Sequence, residues 1–133
     1  MRAQVSIEYL LITGFSLALI APLLVLFASQ SDHVQTQFQQ SQAQQAAQAI
    51  ADSAQRVYYA GPPSKETFSV RVPERTELFT ITNTSVVFTL RNPSTDIIAS
   101  TNAQLVPAQL NPRHGHAKIT VQATNTGVVV SDS

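Results

Sequence analysis

The 133-residue chain has no cysteine and no tryptophan, one methionine and four glycines, and only 12% of it is charged. Without cysteine, no disulfide staples a small domain and no thiolate chemistry is open to it. Eight basic residues against eight acidic ones cancel to a formal charge of zero, which leaves no electrostatic footprint for nucleic acid. No serine–histidine–acid set, glycine-rich phosphate loop or carboxylate pair stands out, so the residues point away from an enzyme and call for no cofactor. Charge is missing most completely from Tyr9 to Ala28, where not one Asp, Glu, Lys or Arg occurs.

As a helix, those twenty residues rise about 30 Å, enough to cross the hydrocarbon layer of a bilayer. Apolar side chains occupy every face of the wheel, so lipid or protein must surround it on all sides. Gly14 and Pro22 interrupt the run, and Pro22, which lacks an N–H and crowds the carbonyl of Ala18, predicts a kink or a loosened turn. Glu8 stands at the lip of this stretch with a single basic residue, Arg2, ahead of it. An ordinary membrane anchor has no use for an acid there. A carboxylate in or near hydrocarbon costs roughly 2.5–3.5 kcal/mol on insertion scales, and such groups usually have a partner.

From Ser29 to Ala60 the composition turns to glutamine, ten of them, and alanine. Val34, Phe38, Ala43, Ala46, Ala47, Ile50, Ala54, Val57 and Tyr58 recur at helical spacing, and no Gly or Pro intervenes until Gly61-Pro62-Pro63. The two segments therefore read as one helix from Gln4 to Ala60, about 85 Å long, whose second half carries a narrow stripe of small residues. Beyond it the period changes to two. Phe68 to Val72, Leu78 to Thr82, Val86 to Leu90, Lys118 to Ala123 and Gly127 to Ser131 read as strands, with shorter apolar pieces at Ile97-Ile98, Leu105-Val106 and Leu110. Asn83-Thr84-Ser85 reads as a hairpin tip, and Asn92-Pro93-Ser94-Thr95 and Asn111-Pro112-Arg113 as turns. The fold class expected is α+β: a long N-terminal helix and a small antiparallel sheet of four to six strands, one face of which packs on the polar half of the helix. Domain limits follow as 1–3, 4–28, 29–60 and 64–133.

Gln4-Val5-Ser6-Ile7-Glu8 followed by the apolar run resembles the class III signal peptide of archaeal type IV pilins, with its pattern Gln-x-Ser-x-Glu-x-x-x-Leu. The match covers about twelve residues; Ile12 replaces the leucine, and Ala3 stands where glycine is commoner. The resemblance implies cleavage by a prepilin peptidase between Ala3 and Gln4, retention of the hydrophobic helix, and its packing into the core of a filament. It also implies a role for Glu8, which pairs with the free α-amino group of a neighbouring subunit and so sets the axial step between helices. A buried pair of this kind fixes register better than it adds stability. Were Gln4 to cyclise, backbone donors or a hydroxyl such as that of Ser6 would have to serve Glu8 instead. The partners implied are other copies of the chain, the peptidase, a membrane platform protein and an assembly ATPase, with the membrane holding the precursor. The absence of a glycine- and alanine-rich start points away from the motor-driven archaeal filament.

Among other candidates, Asn83 heads an N-glycosylation sequon, whereas the proline of Asn92-Pro93-Ser94 excludes that triplet. His114-Gly115-His116 lacks the further ligands of a closed metal site and reads as a solvated loop. His33 reads as a surface residue of the helix, and Tyr58 and Tyr59 as a seal over the helix–sheet junction. Three readings compete: a pilus subunit for adhesion at the cell surface, a single-pass membrane-anchored binding domain that never polymerises, and a secreted protein cut near Phe27-Ala28-Ser29. The last gives Glu8 and the glutamine helix no purpose.

Overall fold

A computed structural model describes residues 2–91, 93–111 and 113–133, Arg2 by its backbone alone. Met1 of the expected leader, Asn92 of one expected turn and Pro112 of the other lie outside the described residues. The chain divides into two compact units, Met1–Gln37 and Phe38–Ser133.

Every described residue of the first unit is helical. Helix α1 spans Arg2–Ala60 and continues without a break through Pro22. Every residue from Ala3 to Leu26 whose side chain is described is exposed, as are Phe27 and Ala28. Thr13 and Ser16 do not leave open hydroxyls in this apolar surface. Thr13 Oγ1 donates to the Tyr9 carbonyl and Ser16 Oγ to that of Ile12, both at 2.8 Å.

In the second unit, α1 turns Ala43, Ala46, Ala47, Ile50, Ala51, Ala54 and Val57 into a common core, together with Ser53. This stripe is wider than the sequence pattern suggests, because Ala51 and Ser53 extend it on either flank. Gly61 ends the helix with φ of 74°, and its N–H reaches the Val57 carbonyl at 3.1 Å. That left-handed cap suits glycine, and the prolines behind it prevent continuation.

Seven strands follow among the described residues: β1 (Lys65–Val72), β2 (Thr76–Ile81), β3 (Ser85–Leu90), β4 (Thr95–Ser100), β5 (Ala108–Leu110), β6 (Gly115–Thr124) and β7 (Gly127–Asp132). They form two antiparallel sheets, ordered β1-β6-β7 and β4-β3-β2-β5, rather than the single sheet expected. Pro73, directly after β1, has no N–H for a ladder, and Thr76 N–H closes a turn onto its carbonyl at 3.1 Å. The chain leaves the first sheet at that turn and returns only with β6. A parallel bridge from Leu105 to Val128 and the bonds Val106 N–H to Val128 O (2.9 Å) and Val128 N–H to Gln104 O (2.8 Å) flank the outer side of β7. The inner faces of both sheets and the helix stripe feed one buried cluster, in which the rings of Phe79 and Phe88 stack at 4.4 Å. Each large buried side chain there contributes roughly 1.5–3 kcal/mol.

Candidate functional site

The N-terminal residues that the sequence singles out, Ala3, Gln4, Ser6 and Glu8, all lie on α1 and are all exposed. Gln4 and Glu8 are four residues apart and share a face. Ser6 is two residues from either, about 200° round the helix, so the fold brings Gln4 and Glu8 together and sets Ser6 on the opposite side. Within one chain the Ser6 hydroxyl therefore does not face the Glu8 carboxylate. Among the described side chains none forms an ion pair or hydrogen bond with Glu8. Any donor or cation for it lies outside the described side chains. The helix behind it is the one helix among the described residues that is long and apolar enough to cross a membrane, and no part of its apolar window is buried. A large apolar surface with one acid at its edge is suited to contact with other apolar surfaces.

Asn83 lies in the three-residue connection between β2 and β3, and its side chain is exposed. Its carbonyl accepts the Leu105 N–H at 2.7 Å, which fixes the loop. The hydroxyl of Ser85 is shared with that of Thr82, whose Oγ1 also donates to the Ser85 carbonyl at 3.1 Å. The loop thus presents the Asn83 amide outwards while tying down the hydroxyl two residues on.

His33 is exposed on the helix, and His114 and His116 are exposed at the start of β6, with His114 Nδ1 3.3 Å from the Pro73 carbonyl oxygen. Two expectations need correction. Tyr58 and Tyr59 do not seal the junction: they are 41% and 70% exposed and pack edge-to-face on each other at 5.8 Å. Val57 takes the inward position, and each following residue rotates about 100° away from it. Val34 and Phe38 do not belong to the buried stripe either, being 63% and 61% exposed. Phe38 precedes Ala47 by nine residues, about two and a half turns, which places it on the far side of the helix from the core.

Phe38 instead lines a groove of about 420 Å³ with Ser41, Gln42, Gln45, Ala46 and Ala49 of α1 and Ser69, Val70 and Arg71 of β1. A smaller recess of about 160 Å³ shares Phe38, Gln42 and Arg71 and adds Gln39 and Glu74. The buried Oε1 of Gln39 has no hydrogen-bond partner among the described residues. The sequence offered one signal of this groove: an aromatic ring out of phase with the alanine stripe. Elsewhere on α1, Arg56 donates to Glu66 at 2.9 Å and to Ser53 Oγ at 2.8 Å, and the Glu66 bond raises its pKa above the ordinary arginine value against the opposing effect of desolvation. Comparison with protein-family models, with curated proteins and with solved structures finds no match to this chain.

Proposed function

We propose that this chain is the structural subunit of an archaeal type IV-like adhesion pilus, assembled through α1 after prepilin peptidase cleaves before Gln4. The observation that carries the reading is Glu8, a lone carboxylate at the edge of an apolar helical segment that is exposed on every side from Tyr9 to Ala28. Releasing that helix from lipid into water would cost tens of kcal/mol, at ~1.5–3 kcal/mol for each large apolar side chain. Moving it into a bundle of identical helices costs far less, because lipid and a protein interior are similarly dry. Head-to-tail contacts related by a screw axis then extend without closing. The carboxylate selects the register, since the α-amino group exposed on Gln4 by cleavage neutralises it in one axial step only. In this scheme the precursor resides in the cytoplasmic membrane and the product at the cell surface. Extraction draws on an assembly ATPase and a membrane platform protein.

Sequencing the amino terminus of material taken from cells tests the proposal. A chain that starts at Gln4 supports the pilus subunit, one that starts at Met1 supports an anchored domain that never polymerises, and one that starts near Ser29 supports secretion. Glu8→Leu is expected to insert in the membrane as before yet yield no filaments by electron microscopy; normal filaments from that variant would remove Glu8 from the mechanism.

A further inference from the structure

The outer face of the β1-β6-β7 sheet gathers positive charge that the neutral composition conceals. The register sets Arg71 opposite His116, Ser69 opposite Lys118, Thr67 opposite Thr120 and Lys65 opposite Gln122. Directly opposed residues share a face, and the bond between the Thr67 and Thr120 hydroxyls, 3.0 Å apart, marks this one. Across β6 the same face continues into Ser131 and Val129 of β7. No Asp or Glu stands on it among the described residues, and Lys65, Arg71 and Lys118 form no ion pair or side-chain hydrogen bond with any described residue. At about 3.3 Å per residue, Lys65 and Arg71 lie roughly 20 Å apart along β1, with Lys118 between their levels on the adjacent strand.

Arg71 also lines the groove that holds Phe38, Gln42 and Gln45, so the basic face and the groove form one continuous surface. The groove pairs one exposed ring with neutral amides, and the unpartnered Gln39 Oε1 waits for a hydroxyl or N–H donor. A flat apolar ring beside a few placed polar groups suits the two-faced chemistry of a sugar. Glu74 lines only the smaller recess and disfavours an anion there, whereas Arg71 also lines the larger groove, where no acid stands among the lining residues.

We infer that this surface binds a linear acidic polysaccharide, one sugar seated against Phe38 and its anionic groups following Arg71, Lys118 and Lys65. Single-stranded nucleic acid fits less well, because among its described residues the sheet face carries no Phe, Tyr or Trp, and His116 alone is no platform for successive bases. A membrane surface fits less well too, since among the face's described residues Val129 alone is a large apolar side chain. The inference does not depend on polymerisation and concerns the second unit alone.

The test is retention of the full-length chain, solubilised in detergent, on immobilised polygalacturonate, with neutral dextran and single-stranded DNA as comparison matrices. Retention on polygalacturonate that weakens with added salt, and none on dextran, is the expected result. The triple variant K65Q/R71Q/K118Q should bind on the order of a hundredfold more weakly, about fivefold per cation, with an unchanged melting temperature because the three side chains lie outside the core. Phe38→Ala should weaken binding several-fold without altering its salt dependence. Absence of retention, retention indifferent to the triple variant or to Phe38→Ala, or equal retention on single-stranded DNA would overturn the inference.

Discussion

Along one helix, residues 3–28 present leucine, isoleucine and phenylalanine outwards, whereas residues 38–60 turn alanine inwards and glutamine outwards. The difference shows what each region has available to cover it. In the second unit the strands approach α1, and alanine with one isoleucine and one valine fills the space between them. In the first unit the side chains are large and their apolar window is wholly exposed. Size on an uncovered helix is an asset only where the covering comes from outside the chain.

Deleting equivalent apolar bulk in the two regions should separate them most strongly. Phe88→Ala, in the stacked pair at the centre of the core, should lower the stability of the second unit by about 3–5 kcal/mol in thermal or denaturant melts. Leu17→Ala should leave the same melt where it was, and a matching loss there would mean that the helix is covered by its own chain. A smaller effect is expected at Gly127, whose φ is 138° and where a Cβ would come 2.7 Å from the Gln104 carbonyl oxygen. Gly127→Ala should cost about 1–3 kcal/mol, with faster amide exchange at Val106 and Val128 as that crossing loosens. At the bottom of the scale, Glu66→Gln should not measurably shift the melting midpoint, because the Arg56 guanidinium it would lose is well solvated.

The sequence made the strands legible because their period of two is a local property. Phe68, Val70 and Val72 face the core side of β1 as their alternation requires, and the β2–β3 hairpin turns where Asn83 predicts it. Partner choice is not local. Nothing near β1 announces that β6 will pair with it, so the second sheet and the Leu105–Val128 bridge were invisible. Helix phase explains the errors at Phe38 and at the two tyrosines: a run of alanines tolerates several phases, and only the approaching strands select one. At the N-terminus, Glu8 was legible as the one charged group between Arg2 and Asp32, an acid where apolar composition leaves it conspicuous. The basic sheet face was not, because its cations come from distant parts of the chain and meet only through the β1–β6 register.

The missing cysteine makes the central claim directly measurable, since any thiol introduced is unique. Single cysteines placed in turn at Leu10, Leu17 and Leu24 can be oxidised in whole cells and in material sheared from their surface. The account predicts chains cross-linked to one another through the helix, in surface fibres that begin at Gln4. Monomers at all three positions, confined to the membrane fraction, would contradict it.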